Sequence, residues 1–172
     1  MSELRLTVMT EDIPPNSISC GIRSIDDRFK DAYSKTLCKQ GLAYNILVDG
    51  HLVGNCMIRL VWLCDENEEY YVTDQEYIAF EISYIAIDTR VQQMGIGKRV
   101  LTRLMSDAEK LSRNLPIRFL VIDALDDKQQ WYLDAGFEEY PKREDLRYLG
   151  TIPMRIDFID KAVAERYVNS QV

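Results

Sequence analysis

The stretch IDTRVQQMGIGKRVL, residues 87–101, joins a run of apolar residues to a helix-like pattern through two glycines, Gly95 and Gly97. The first backbone amides of a helix have no internal hydrogen-bond partner, and the helix dipole adds about half a positive charge there. Glycines let the backbone approach an anion closely, and Lys98 and Arg99 add positive charge. The sequence therefore predicts an anion-binding turn at the start of a helix, with a plain tight turn as the alternative.

Two common phosphate-binding loops do not fit these residues. A Walker A loop requires a glycine where the chain has Gln92, and a serine or threonine where it has Arg99. A dinucleotide-binding turn requires a third glycine where the chain has Val100. If this turn binds an anion, it therefore belongs to neither of these two loop types.

The segments around this turn predict an α+β fold. Strand patterns come first and a strand–helix–strand crossover follows, which indicates a mixed, mostly antiparallel sheet with helices on both faces. The dipeptide Asp49-Gly50 predicts a tight hairpin, and Ser24 is predicted to cap a helix whose apolar stripe ends at Leu37. The predicted strands are residues 4–10, 43–48, 52–61, 78–87, 119–124 and 152–159, and further helices are predicted at 97–113 and 128–135.

Length and composition predict one domain covering residues 1–172. The net charge of -7 argues against general affinity for nucleic acids or anionic membranes, and no apolar run predicts a signal peptide or a membrane span. The cysteines do not pair in a CxxC motif, so we expect no metal site and a reducing, cytoplasmic location. These cysteines are Cys20, Cys38, Cys56 and Cys64.

The glycine turn matches a known pattern once the preceding strand is included. Gln92, Gly95 and Gly97 follow the apolar strand EISYIAID and fit Gln/Arg-x-x-Gly-x-Gly/Ala. This resembles the acetyl-CoA-binding motif of the GNAT (GCN5-related) N-acetyltransferase superfamily, and FLVIDALDDKQQWYLDAGFEEY, residues 119–140, extends the resemblance. The resemblance implies splayed central strands and acetyl-CoA as co-substrate, with its pyrophosphate on the turn and its pantetheine arm along the strand. The residues it assigns to acetyl-CoA are Ile85, Ala86, Ile87, Gln92, Gln93, Met94, Gly95, Ile96, Gly97 and Lys98.

Two residues are predicted to carry the chemistry. Acetyl transfer to an amine requires that the amine be neutral and that the departing thiolate receive a proton. Tyr132, in WYLDAGF, stands where many GNAT enzymes have the tyrosine thought to protonate the sulfur, and the alternative is a core tyrosine. Glu81, a carboxylate in an apolar strand, is the candidate base, and the alternative is a buried ion pair with an arginine such as Arg59.

The N-terminal half carries a second resemblance, to the GNAT branch that includes bacterial toxins acetylating aminoacyl-tRNA. It rests on ISCGIRSIDDRFKDAYSKTLCKQGLAYNILVDGHLVGNCMI, residues 18–58, with Gly54 inside a strand, and on the late TIPMRIDF, residues 151–158. Binding of tRNA requires clustered lysines and arginines, so the acidic composition disfavours it.

The acetyl acceptor is therefore predicted to be a small-molecule or peptide amine. The acidic run CDENEEYYVTDQE, residues 64–76, could attract a cationic acceptor or could be only a solvated loop. Aminoacyl-tRNA remains an alternative acceptor, and a non-catalytic acyl-CoA-binding module remains an alternative function. A homodimer formed through the final strand and tail also stays open.

Overall fold

The computed structural model describes residues 2–14, 17–64, 76–140, 150–160, 162 and 166. Within these ranges the strands are β1 Leu4–Val8, β2 Leu42–Val48, β3 His51–Cys64, β4 Glu76–Ile87, β5 Ile117–Leu125, β6 Glu138–Glu139 and β7 Thr151–Asp157. The α-helices are α1 Arg23–Asp26, α2 Ala32–Leu37, α3 Ile96–Ser112 and α4 Gln129–Leu133. Three 3₁₀ helices cover Asp27–Asp31, Thr89–Val91 and Asp126–Lys128. The predicted acidic loop lies outside the described residues, apart from its two ends.

The described strands form one sheet in the order β1-β2-β3-β4-β5-β7-β6. All neighbours are antiparallel except β4 and β5, which run parallel because α3 carries the chain back across the sheet. The hairpin between β2 and β3 turns at Asp49 and Gly50, whose φ angles of 48° and 81° are those of a tight two-residue turn. The predicted α+β fold and its hairpin are confirmed.

Helices cover both faces of this sheet, as predicted. On one face α3 buries Val100, Leu101, Leu104 and Ala108 against the central strands. On the other face, the segment from α1 to α2 covers a second apolar cluster that includes Phe29. Among the described residues, no helix combines the length and apolar character needed to cross a bilayer.

The first helical segment differs from its prediction. Ser24 lies inside α1 and caps nothing, because the N-cap position is Ile22, which makes no side-chain cap. The Asp26 carboxylate accepts hydrogen bonds from the Cys20 amide at 2.9 Å and from the Ser19 hydroxyl at 2.6 Å. A 3₁₀ helix then interrupts the α-helical pattern, so Leu37 leaves the apolar face and is 67% exposed.

The centre of the sheet carries a bulge and a split. Opposite β3, Met57 pairs with Tyr84 but the next residue pairs with Ile82, so Ser83 is an extra residue in β4. The parallel ladder between β4 and β5 ends at the pair Glu81 and Val121. Beyond it the two strands separate, which confirms the predicted splay of the central strands.

Candidate active site

A cleft of about 1550 Å³ opens where β4 and β5 separate. Its floor is the second half of β4, and the N-terminus of α3 and the residues around α4 form two of its walls. The segment from α1 to the end of α2 forms another. Since β5 no longer pairs with β4 here, the β4 backbone edge is available to an extended ligand. We call this space the cleft, and it is lined by residues of all these elements.

The glycine turn, residues 92–98, lies at one end of the cleft. Gln93 and Gly95 both have positive φ angles, 64° and 77°, and α3 begins directly after Gly95. No side chain caps this helix end, so its first amides remain available to a ligand. A Cβ atom on Gly95 would meet nothing within 4 Å, which means that open space adjoins the turn. The geometry is that of an anion site.

A set of hydrogen bonds, which we call the brace, holds the approach to this turn. The buried carboxylate of Asp88 accepts from the Arg90 backbone amide at 2.9 Å and from the Arg90 guanidinium at 2.7 and 2.8 Å. This contact lowers the pKa of Asp88 from 3.8 to about 2, chiefly through the hydrogen bonds from Arg90. The Gln92 side chain donates to the carbonyl oxygens of Cys20 and Ile87, both at 2.9 Å. The turn is thereby tied to the N-terminal segment.

Tyr132 lies in the cleft wall formed by α4. Its ring packs edge-on against Trp131 and Phe137, with centroids 4.7 and 5.5 Å away. Within the part of the chain that the structure describes, its hydroxyl makes no hydrogen bond, although only 7% of the residue is exposed. Burial raises the pKa of Tyr132, so the phenol stays protonated at neutral pH. The hydroxyl lies on the cleft wall and has no partner among the described residues, so it is available to a ligand.

Glu81 lies where the strands begin to separate, and it forms an ion pair with Arg59. The two side chains are joined by two parallel hydrogen bonds of 2.8 and 2.9 Å. The Ser83 hydroxyl donates to the same carboxylate at 3.1 Å. The glutamate side chain is 17% exposed and the arginine side chain 43%, so the pair faces the cleft from the β3–β4 ladder. The ion pair named as the alternative is thus present, and the role of Glu81 as a base stays a prediction.

A profile of the Acetyltransferase (GNAT) family matches residues 9–137 of this sequence. The chain belongs to the GNAT acetyltransferase family. The predicted family, its acetyltransferase class and acetyl-CoA as its acyl donor are confirmed at the level of the family. No curated protein matches the sequence at a significant level.

Solved structures similar to this GNAT chain include bacterial toxins. One described as a bacterial toxin has a TM-score of 0.75 at 16% identity, with 98% of this chain and 97% of that one covered. AtaT complexed with acetyl-methionyl-tRNAfMet has a TM-score of 0.71 at 15% identity, with 96% and 99% covered. The KacTA–DNA complex has a TM-score of 0.68 at 16% identity, with 97% and 99% covered. At these identities the likeness concerns the fold.

The cleft contains most of the residues that the motif assigned to acetyl-CoA. Ile85 and Ile87 point from β4 into the cleft, whereas the side chain of Ala86 is buried on the opposite face, under the first helices. Met94 is 69% exposed and does not line the cleft. The predicted residues that do line it are Ile85, Ile87, Gln92, Gln93, Gly95, Ile96, Gly97 and Lys98, together with Tyr132 and Glu81.

Several residues of this GNAT cleft were not predicted from the sequence. Arg28 and Lys35 reach it from the segment that runs from α1 to the end of α2, and Lys128 reaches it from the other side. Their positions depend on contacts between distant parts of the chain. The only local signal was that basic residues recur along one amphipathic segment, which is also the pattern of an ordinary solvated helix face.

Proposed function

We propose that this GNAT enzyme transfers the acetyl group of acetyl-CoA to a primary amine by direct attack. The observation that carries the proposal is the combination, in one cleft, of an uncapped glycine turn, an open β4 edge and a Tyr132 hydroxyl that has no partner among the described residues. Each of these groups can bind a different part of a thioester cofactor.

The unpaired thiols of Cys20, Cys38 and Cys56 fit the cytoplasmic location predicted from the sequence.

In this proposal the cofactor extends along β4. Its pyrophosphate accepts hydrogen bonds from the backbone amides between Gln93 and Lys98, where the helix dipole also favours an anion. Its pantetheine arm pairs with the β4 backbone from Ile85 to Ile87, adding a short strand to the open edge. The thioester then lies near the Ser83 bulge, between Glu81 and Tyr132.

The chemistry requires two proton movements around one substitution. The lone pair of the amine forms a bond to the thioester carbon, and the carbon–sulfur bond breaks with its electron pair leaving on sulfur. Tyr132 gives its phenolic proton to that thiolate and regains one from solvent. The proton that the amine loses passes to Glu81, directly or through a water molecule.

A covalent intermediate on Cys20 is disfavoured by its surroundings. Burial, together with the hydrogen bond to Asp26, raises the pKa of the Cys20 thiol to about 11. The thiol therefore stays protonated at neutral pH and is a poor nucleophile. This supports direct attack by the amine.

Aminoacyl-tRNA is a second candidate acceptor. It is favoured by the likeness to AtaT, which has been captured in complex with acetyl-methionyl-tRNAfMet, over 96% of this chain. The net charge of -7 counts against it, because tRNA is bound through clustered cations.

A screen for acetyl transfer tests both candidates. Purified protein and acetyl-CoA are incubated with a panel of small amines, peptides and charged tRNA, and acetylated products are detected by mass spectrometry. A product among the amines or peptides supports the first proposal, and a product only from charged tRNA supports the second. Absence of any product despite tight acetyl-CoA binding would favour a non-catalytic acyl-CoA-binding module.

A further inference from the structure

Five cationic side chains line the cleft, and within the described residues three of them are matched by a carboxylate. Lys35 pairs with Asp31 at 2.7 Å, Lys128 with Asp127 at 2.6 Å, and Arg59 with Glu81 at 2.8 Å. The two cations that form no ion pair with a described residue are Lys98 and Arg28.

These two unmatched cations lie at different places along the cleft. Lys98 belongs to the glycine turn, where the phosphates of the cofactor account for it under the proposed function. Arg28 comes from the 3₁₀ helix between α1 and α2, and an Nη1–H group donates to the Ser83 carbonyl oxygen at 2.7 Å. It is therefore fixed at the β4 bulge, four residues before the end of the strand. The cofactor phosphates leave this second cation unexplained.

The contact with Ser83 fixes Arg28, and most of its other donors have no partner among the described residues. A guanidinium carries five N–H donors in a rigid planar fork, and a single one is used by the carbonyl. Its partner is a neutral carbonyl, so the positive charge is oriented without being neutralised. Such an arrangement suits the recognition of a carboxylate or a phosphate.

We infer that Arg28 binds an anionic group of the acetyl acceptor, and that the acceptor is therefore an amine with a carboxylate or phosphate on the same molecule. This rests on the proposed function, because it takes the Ser83 bulge as the place where the amine meets the thioester. The anionic group is held on the α1–α2 side of the cleft, and the amine points toward β4. Arg28 is a specificity-determining residue in this arrangement.

Matched pairs of acceptors test the inference. Glycine is compared with glycinamide, and O-phosphoethanolamine with ethanolamine, by measuring kcat/KM at saturating acetyl-CoA. The first pair reports on a carboxylate and the second on a phosphate. Differences in amine basicity cancel, because each acceptor is compared with itself across the enzyme variants.

We expect a selective loss in Arg28→Gln for the anionic member of at least one pair. The variant Arg28→Gln should lower kcat/KM for that member about tenfold or more, the size of one charge-assisted hydrogen bond, and leave the neutral member within about twofold. Arg28→Lys should retain part of the preference, because it keeps the charge and loses the fork. Arg23→Gln is the control: it removes the same charge from an arginine on α1 that is 96% exposed and does not line the cleft.

Equal losses for both members of each pair in Arg28→Gln, or losses no larger than those in Arg23→Gln, would overturn the inference. If no acceptor in the panel reacts, titration of inorganic phosphate and of glycine into the enzyme–CoA complex replaces the kinetic test. Anion binding that is equally strong in Arg28→Gln would then sink the inference. The proposed function is judged separately by acetyl-CoA binding and by transfer to any amine, neither of which requires Arg28.

Discussion

The two ends of the cleft are built from different parts of the chain. At the glycine turn the groups facing the ligand space are main-chain amides, held by the brace of Asp88 and Gln92. At the other end they are charged side chains, Arg28, Arg59 and Glu81, brought together from three separate elements. A main-chain site suits one invariant ligand, since few substitutions can alter it. A side-chain site can change its ligand through a few substitutions that leave the fold intact.

The largest effect is expected from a substitution in the glycine turn, the end of the cleft that is built from main-chain amides. Gly95→Val places a side chain in the open space beside the turn, where the pyrophosphate is proposed to lie. Losing two phosphate contacts should weaken acetyl-CoA binding roughly a hundredfold or more, measured by calorimetry. Gly50→Val is the matched control, because Gly50 has a similar φ of 81°, equally open surroundings and no place in the cleft. If Gly95→Val bound acetyl-CoA with wild-type affinity, the pyrophosphate could not lie at this turn.

Between the two ends, removal of the Tyr132 hydroxyl is expected to affect only the chemical step. Tyr132→Phe should lower turnover roughly a hundredfold or more and leave acetyl-CoA binding unchanged, because the hydroxyl acts when the thiolate departs. Stability should change by less than about 0.5 kcal/mol, since the hydroxyl has no partner among the described residues. Because burial raises the pKa of Tyr132 above its ordinary value near 10, its loss of a proton should not limit the rate below about pH 10.

The control for that experiment is Tyr44→Phe, which removes a tyrosine hydroxyl that does not line the cleft. The two variants are compared under conditions where chemistry limits the rate. If Tyr132→Phe turns over as fast as Tyr44→Phe, Tyr132 serves only in packing.

At the side-chain end, Glu81→Gln separates two roles. As a base, Glu81 should produce an acidic limb in the pH profile of kcat/KM that disappears in the variant. As the ion-pair partner of Arg59, it should stabilise the fold by about 1–2 kcal/mol, a reduced value because the arginine is 43% exposed. We expect both effects. A stability loss with an unchanged acidic limb would restrict Glu81 to the ion pair, and the double variant with Arg59→Gln would measure their coupling.

The smallest effect is expected in the brace. The pKa of Asp88 is lowered by folding, so its contribution to stability is full above about pH 4 and is lost as the pH falls toward 2. Asp88→Asn should therefore cost about 1–2 kcal/mol at pH 7, allowing for solvent screening at the exposed Arg90, and much less near pH 2. Chemical denaturation at both pH values measures this. An equal loss at both would mean that the carboxylate charge contributes nothing.

The difference between the main-chain end and the side-chain end of the cleft also explains what the sequence could predict. The glycine turn, the hairpin at Asp49-Gly50 and the buried face of α3 follow from local patterns of a few residues, and the structure confirms them. The 3₁₀ interruption after α1 was missed, because Ser24 and the apolar spacing around it fit a continuous helix equally well.

The charged residues at the other end depend on pairings that no local pattern specifies. Arg59 lies opposite Glu81 through the register of β3 with β4, whereas the sequence named Arg59 only as an example of an arginine that could pair with Glu81. Arg28 is 55 residues away from the carbonyl that it contacts, so its place in the cleft required the packed structure. The bulge at Ser83 could not be predicted either, because Ser83 lies within a continuous apolar strand pattern.

The brace uses only groups of the chain itself, so its formation does not depend on the cofactor. A turn that is ordered beforehand loses little further conformational entropy when a ligand arrives. Association of acetyl-CoA should then be a single fast step without a slow rearrangement, with a rate set by diffusion and by attraction of the phosphates to Lys98. That rate should fall as ionic strength rises, because salt screens the attraction between the exposed charges.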